Sequence, residues 1–354
     1  MRILYGVAGE GMGHATRSAV VAGHLAARGH TLRFVASGRA AAFLRARFPD
    51  VVEILGLELR YADGEVGIGP SVIHNIGRMP TILARAGAAW AQADAFDADL
   101  VVTDFDSFVQ AWAATRGVPL LAVDNFRVID RCEHPAWILG EDARDLGPAQ
   151  ALIRAKGVGA SHYVVTTFYC PPIRSVDAAT TTLVPPIVRP EIARLGRPGP
   201  DGAHVLVYQT ARGDTRLLDA LRANPRERFV VYGVGYDGTE GNVTCKPFSE
   251  DGFLADLANA KAVVANGGMS LLGEAVYLGK PVLSVPVRRH FEQCINARYI
   301  AALGYGETMP CFDGAALGAF LERAPAYAER LCATPAQDQN RVLGAVLDRL
   351  VPTT

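Results

Sequence analysis

At 354 residues, half of them apolar and 20% charged, the chain is long enough for two packed domains. A net charge of −1 argues against nucleic acid or any other polyanion as a general partner. The six cysteines, at 132, 170, 245, 294, 311 and 332, form no CxxC pair, which argues against zinc and disulfide frameworks and fits a reducing, cytoplasmic setting.

Only four of the 35 basic residues are lysine (156, 246, 261 and 280), which with the heavy alanine usage points to a GC-rich bacterial genome. The N-terminus enters a strand pattern at once, without the charged segment and apolar core of a signal peptide. No apolar run approaches the ~20 residues that span a bilayer; peripheral membrane contact stays open but is not indicated.

In chain order, "RILYGVA" (2–8) predicts a buried strand, followed by "GEGMGHATRS" (9–18) and a helix from about Ala15 to Arg28. "TLRFVAS" (31–37), a short helix to Phe48 and "VVEIL" (51–55) follow, and then a glycine-rich stretch, Gly56 to Pro70, that fits neither period. A helix is predicted over 73–93. "DLVVTD" (99–104) and "PLLAVDN" (119–125) are continuous apolar runs, as expected of strands buried on both faces of a parallel sheet. "SHYVVTTF" (161–168) and "TTLVPPIV" (181–188) complete this half.

The stretch 189–203, rich in Pro, Gly and Arg, reads as a linker. Alternation restarts with "HVLVYQT" (204–210), "RFVVYGV" (228–234), "NVTCKPF" (242–248), "KAVVANG" (261–267) and "PVLSVPV" (281–287). A last helix over about 336–350 is expected to pack back on the first half. The pattern predicts an α/β chain of two doubly wound Rossmann-like domains, 1–188 and 204–354, facing across a cleft.

In such sheets ligands sit beyond the carboxyl ends of the strands, so the strand-to-helix corners carry the functional signal. After the strand ending at Asn266, Gly267 and Gly268 allow close backbone approach. The helix that follows, starting near Ser270, offers free N–H groups and its dipole to a diphosphate. Glu274 stands one or two turns into that helix, placed for a ribose diol. "RHFEQCINA" sets Gln293 and Asn296 three apart on one helix face, with Glu292 beside them.

Together, "NGGMSLLGEAVYLGKPVLSVPVRRHFEQCINA" resembles the nucleotide-sugar site of GT-B glycosyltransferases of families 1 and 28, the MurG-like enzymes included. The resemblance is specific over about thirty residues and weaker over the rest of the chain. It implies a nucleotide diphosphate sugar as donor, most often a UDP-sugar, no cofactor, and an acceptor that the sequence does not name. Gly267, Gly268, Met269 and Ser270 would lie near the phosphates, Glu274 at the ribose, and Glu292 and Gln293 at the donor sugar. Phe248, in "KPFSE", matches the segment that meets the base, and Thr210 and Arg212, in "YQTARGD", match phosphate contacts.

The same resemblance gives His14 the general-base position after the first strand. An unperturbed imidazole pKa near 6.5 suits that role at neutral pH. Asp104 is the matching partner, with Asp106 in reserve. The loop Gly11–Met12–Gly13 departs from MurG-type loops, in which adjacent glycines precede the histidine. Segment 56–70 and "IHNIGRMP" would form the acceptor wall.

Other readings compete. "GEGMG" imitates a dinucleotide fingerprint, but the acidic ribose ligand after the second strand is missing, since "TLRFVASG" ends in Ser37–Gly38. Asp104-Phe105-Asp106 spells a DxD metal triplet, yet here the expected diphosphate site is a helix start in the other domain. A hydrolysing UDP-sugar 2-epimerase and a non-catalytic sugar-nucleotide-binding protein share the fold; the Gln-x-x-Asn-Ala segment and His14 favour transfer over each in turn.

Overall fold

The computed structural model describes the chain except residues 10, 57–60, 63–64, 67, 157–158, 198–201, 210–214, 289, 336–337 and 353–354; of residues 57–76 and 215 the backbone alone is considered. Thr210, Arg212 and most of the expected acceptor wall therefore lie outside the described side chains.

The first half contributes β1 (Arg2–Val7), β2 (Thr31–Ser37), β3 (Val51–Ile54), a two-residue ladder β4 (Tyr61–Ala62) with β5 (Glu65–Val66), β6 (Leu100–Asp104), β7 (Leu120–Asp124), β8 (His162–Thr166) and β9 (Thr181–Val184). Its seven-stranded sheet runs β3-β2-β1-β6-β7-β8-β9, with every neighbouring pair parallel. All five residues of β6 and of β7 are buried, because helices cover both faces of the sheet.

The second half holds β10 (His204–Tyr208), β11 (Phe229–Tyr232), β12 (Gly238–Glu240), β13 (Val243–Lys246), β14 (Ala260–Ala265), β15 (Val282–Ser284) and β16 (Gly306–Thr308). The order is β12-β13-β11-β10-β14-β15-β16, parallel except for the edge hairpin β12–β13. This is the fold of two Rossmann-like sheets, as in GT-B glycosyltransferases. Strand order reverses between β1 and β6 in the first sheet and between β10 and β14 in the second, so each sheet has one crevice at its carboxyl edge.

Local structure departs from the sequence reading in several places. The helix predicted over 73–93 runs Ile68–Phe96. The stretch read as linker holds a short helix, Pro190–Leu195, with proline at its first turn, where the missing N–H costs nothing. The final helix, Arg341–Leu350, begins later than expected and follows a twenty-residue helix, Gly314–Ala333, that the pattern did not announce.

Leu343, Val346 and Leu347 of the final helix are buried in one cluster with Ile3, Val21 and Leu25 of the first half. Each such side chain contributes about 1.5–3 kcal/mol on burial. His24 Nε2 and Asp348 Oδ1, 2.8 Å apart, add a polar tie at the rim. A second apolar cluster joins the halves near the crevices, setting Phe105, Val128 and Tyr163 with Met269, Ile295 and Tyr299.

Candidate active site

The first helix, Met12–Ala27, starts directly beyond β1, with Gly11 as its N-cap residue at φ 85°. His14 and Arg17 are three apart and share a face of that helix. β6 lies beside β1 in register Val7↔Asp104, which brings the Asp104 carboxylate to the same corner.

His14 Nδ1 is 2.8 Å from Asp104 Oδ1, and the ring stacks on Phe126 with centroids 5.8 Å apart. Only 12% of the His14 side chain is exposed and none of Asp104. Arg17 donates from Nη2 to Asp104 Oδ1 at 2.5 Å and from Nε to Oδ2 at 2.6 Å, while the Ser18 hydroxyl donates to Oδ2 at 3.0 Å. Burial pushes the Asp104 carboxyl up, but the charge of Arg17, the proximity of His14 and the hydrogen bonds from both outweigh it, and the net direction is down.

Asp106 has other work: it is the N-cap of helix Ser107–Arg116, accepting from Val109 N at 3.0 Å. Burial pushes its carboxyl up to about 6. The DxD triplet therefore presents no pair of free carboxylates to a cation. Among the described residues no group of three or more His, Cys, Asp or Glu side chains is placed to hold a metal.

At the second corner, helix Met269–Tyr277 begins after Gly268, and no side chain caps it. Gly267 has φ +103°, and a Cβ there would stand 2.8 Å from the backbone oxygen of Gln293, so glycine is required on both counts. The two corners touch. Ser270 Oγ donates to the Gly13 carbonyl at 3.2 Å, and a Cβ on Gly13 would meet Ser270 Oγ at 2.9 Å.

The remaining candidates fall into two groups. Phe248 follows β13, is 50% exposed, and packs edge-on and tilted against Tyr232 and Phe253. Met269 is buried in the apolar cluster between the halves. Glu274 is buried and gripped by Arg189, whose Nε and Nη2 donate to its two oxygens at 2.8 and 2.6 Å.

Glu292 is also buried. Its Oε1 accepts from Asn125 Nδ2 of the first half at 2.7 Å and from Asn296 Nδ2 at 2.8 Å. Gln293 Oε1 accepts from Val287 N at 2.9 Å. Asn296 donates from Nδ2 to the Gly267 carbonyl at 3.0 Å and so braces the glycine corner.

The family model for glycosyl transferase family 1 matches residues 1–325. The chain belongs to glycosyl transferase family 1. Among solved structures, the glycotransferase of kitacinnamycin is similar at 20% identity and TM-score 0.66, with 99% of each chain covered. Phytolacca americana UGT2 complexed with UDP-2-fluoro-glucose and pterostilbene gives 13% identity, 98% coverage of each chain and TM-score 0.63. Spinosyn rhamnosyltransferase SpnG complexed with thymidine diphosphate gives 16% identity, 99% coverage of this chain and 100% of that one, and TM-score 0.63. No curated protein sequence matches the chain. The chain is thus an enzyme that transfers sugar.

Sequence reasoning about this glycosyltransferase missed three residues that complete the site: Arg17, Asn125 and Arg189. The Arg17 signal was present as an arginine three residues after His14. Asn125 ends the segment "PLLAVDN", where the carboxyl end of a strand beside β6 is a natural site position. Arg189 carried no signal, since its contact with Glu274 spans 85 positions.

Proposed function

We propose that this enzyme moves a sugar from a nucleoside diphosphate sugar to an acceptor nucleophile with inversion, without a metal, and with His14 as general base. The observation that carries this reading is His14 Nδ1 at 2.8 Å from Asp104 Oδ1, beside the helix start at Ser270. With the Nδ1 proton directed at Asp104, the Nε2 lone pair is free to take the acceptor's proton. The nucleophile forms a bond to the anomeric carbon as the bond to the diphosphate oxygen breaks, and the electron pair leaves with the diphosphate.

The uncapped N–H groups at the start of helix Met269–Tyr277 suit that developing charge. Thr210 and Arg212 are assigned to the same phosphates by resemblance. By resemblance Phe248 would take the base, Gln293 the donor sugar and Glu274 the ribose, the last only by sharing or leaving the two bonds its oxygens make to Arg189. Glu292 has an oxygen committed to Asn125 and Asn296, so its part is to hold the corner as well as to face the sugar. A nucleotide donor agrees with the thymidine diphosphate and UDP-2-fluoro-glucose named in two similar structures, which differ in base.

The test is His14→Ala and His14→Gln, assayed with the donor that gives the largest thermal shift. Both variants should lose about 10²–10⁴-fold in turnover while donor affinity stays close to wild type. Near-normal turnover in His14→Ala would remove the histidine from the base role. Release of free sugar without any acceptor would recast the reaction as hydrolysis.

A further inference from the structure

We propose that Arg17 is a positioning residue for the base: it locks Asp104 against His14 and offsets the aspartate's charge beside the imidazole. This rests on the reading of His14 as the base.

The geometry makes Arg17 more than a packing residue. Its Nη2 lies 2.5 Å from Asp104 Oδ1 and 2.8 Å from His14 Nδ1, so one nitrogen faces both members of the pair. A guanidinium has no lone pair and keeps its charge at any ordinary pH. It can only donate, so with the ring proton on Nδ1 the guanidinium and the imidazole converge as two donors on Asp104 Oδ1, and an imidazolium would add a second full positive charge 2.8 Å away. An aspartate alone at 2.8 Å would favour the protonated ring; Arg17, on both oxygens of the same aspartate, works in the opposite direction.

The arrangement is also fixed in place. Arg17 is 4% exposed, and its remaining terminal nitrogen donates to Asn125 Oδ1, whose Nδ2 in turn donates to Glu292 of the second half at 2.7 Å. Buried charged groups on the elements about this corner are Arg17 on the first helix, Asp104 ending β6, Asp106 at the next helix cap, Asp124 ending β7 with Arg127 beside it, and Glu292 from helix Phe291–Ala302. Burial raises the carboxyls of both Asp106 and Asp124. Of these, Asp104 and Arg17 carry opposite charges and both stand 2.8 Å from His14 Nδ1.

The experiment is a titration of the His14 ring Cε1–H by NMR in the unliganded enzyme, with the resonance assigned through His14→Gln. Arg17→Met should raise the midpoint by about one pH unit or more, since the aspartate then acts alone. Asp104→Asn should lower it. The Arg17→Met/Asp104→Asn double variant, which leaves no unpaired buried charge, should return close to the wild-type midpoint. An Arg17→Met protein that folds and titrates like wild type overturns the proposal. Should Arg17→Met not fold, equal midpoints in Asp104→Asn and the double variant overturn it instead. The readout needs no substrate, so failure of the base reading appears separately, as retained turnover in His14→Ala.

Discussion

Arg189 grips both oxygens of Glu274, with Nε and Nη2 at 2.8 and 2.6 Å, so the candidate ribose ligand is held from the segment joining the two halves. The pair is almost out of water, with 10% of the arginine side chain and 4% of the glutamate exposed.

Breaking a buried pair from one side leaves a desolvated charge unpaired. Arg189→Met should therefore cost about 3–5 kcal/mol in urea unfolding, and Arg189→Met/Glu274→Leu should recover most of it. If the single variant is as stable as wild type, the pair is not the link between the halves described here.

Glu274→Gln keeps the side-chain shape and one acceptor. It should weaken donor binding by about 1–3 kcal/mol through loss of charge-assisted hydrogen bonds. Calorimetric titration with the best donor checks this, and unchanged affinity takes Glu274 away from the ribose.

Asp106 sets a pH dependence of stability. Its carboxyl is raised to about 6 by burial, above its ordinary value of 3.8, so the folded state binds the proton more tightly than the unfolded chain does. Stability from this group is present below about pH 4 and is lost as pH rises through 6. Asp106→Asn retains a capping side chain without the ionisation. Its stability relative to wild type should grow by about 2–3 kcal/mol between pH 4 and pH 7. Denaturant unfolding at the two pH values measures it, and a constant difference would show that Asp106 does not titrate there.

Chelation should leave transfer nearly unchanged, because the carboxylates of Asp104 and Asp106 are bonded to His14, Arg17, Ser18 and the Val109 amide. A rate that collapses in EDTA and returns with manganese or magnesium would require those carboxylates to rearrange around a cation.

Most of the fold and the two corners were legible in the sequence because both rest on local signals. Continuous apolar runs such as 100–104 mark strands buried on both faces, and Gly267–Gly268 before a helix marks a backbone that something must approach. Between Asp104 and Asp106 the sequence offered only a resemblance, which put Asp104 first; Asp104 ends β6 and Asp106 lies two residues beyond, and the register of β6 against β1 shows which carboxylate reaches His14. Arg189 read as part of a polar linker, since its partner is distant in sequence. The helix Gly314–Ala333 escaped notice despite its N-cap at Asp313, which accepts from Ala316 N at 2.8 Å.

The return of the final helix to the first half bears on how the chain is made. Leu343, Val346 and Leu347 close a core whose other members include Ile3, Val21 and Leu25. A ribosome releases those three residues only after residues 204–340 have been made. The N-terminal sheet therefore leaves the tunnel with an apolar face uncovered, and it stays uncovered while the whole second half is translated. Segments held open in this way are exposed to mispairing and chaperone capture. A fragment ended within 196–203 would keep that defect permanently, so the two halves are separable in topology but not in their completion.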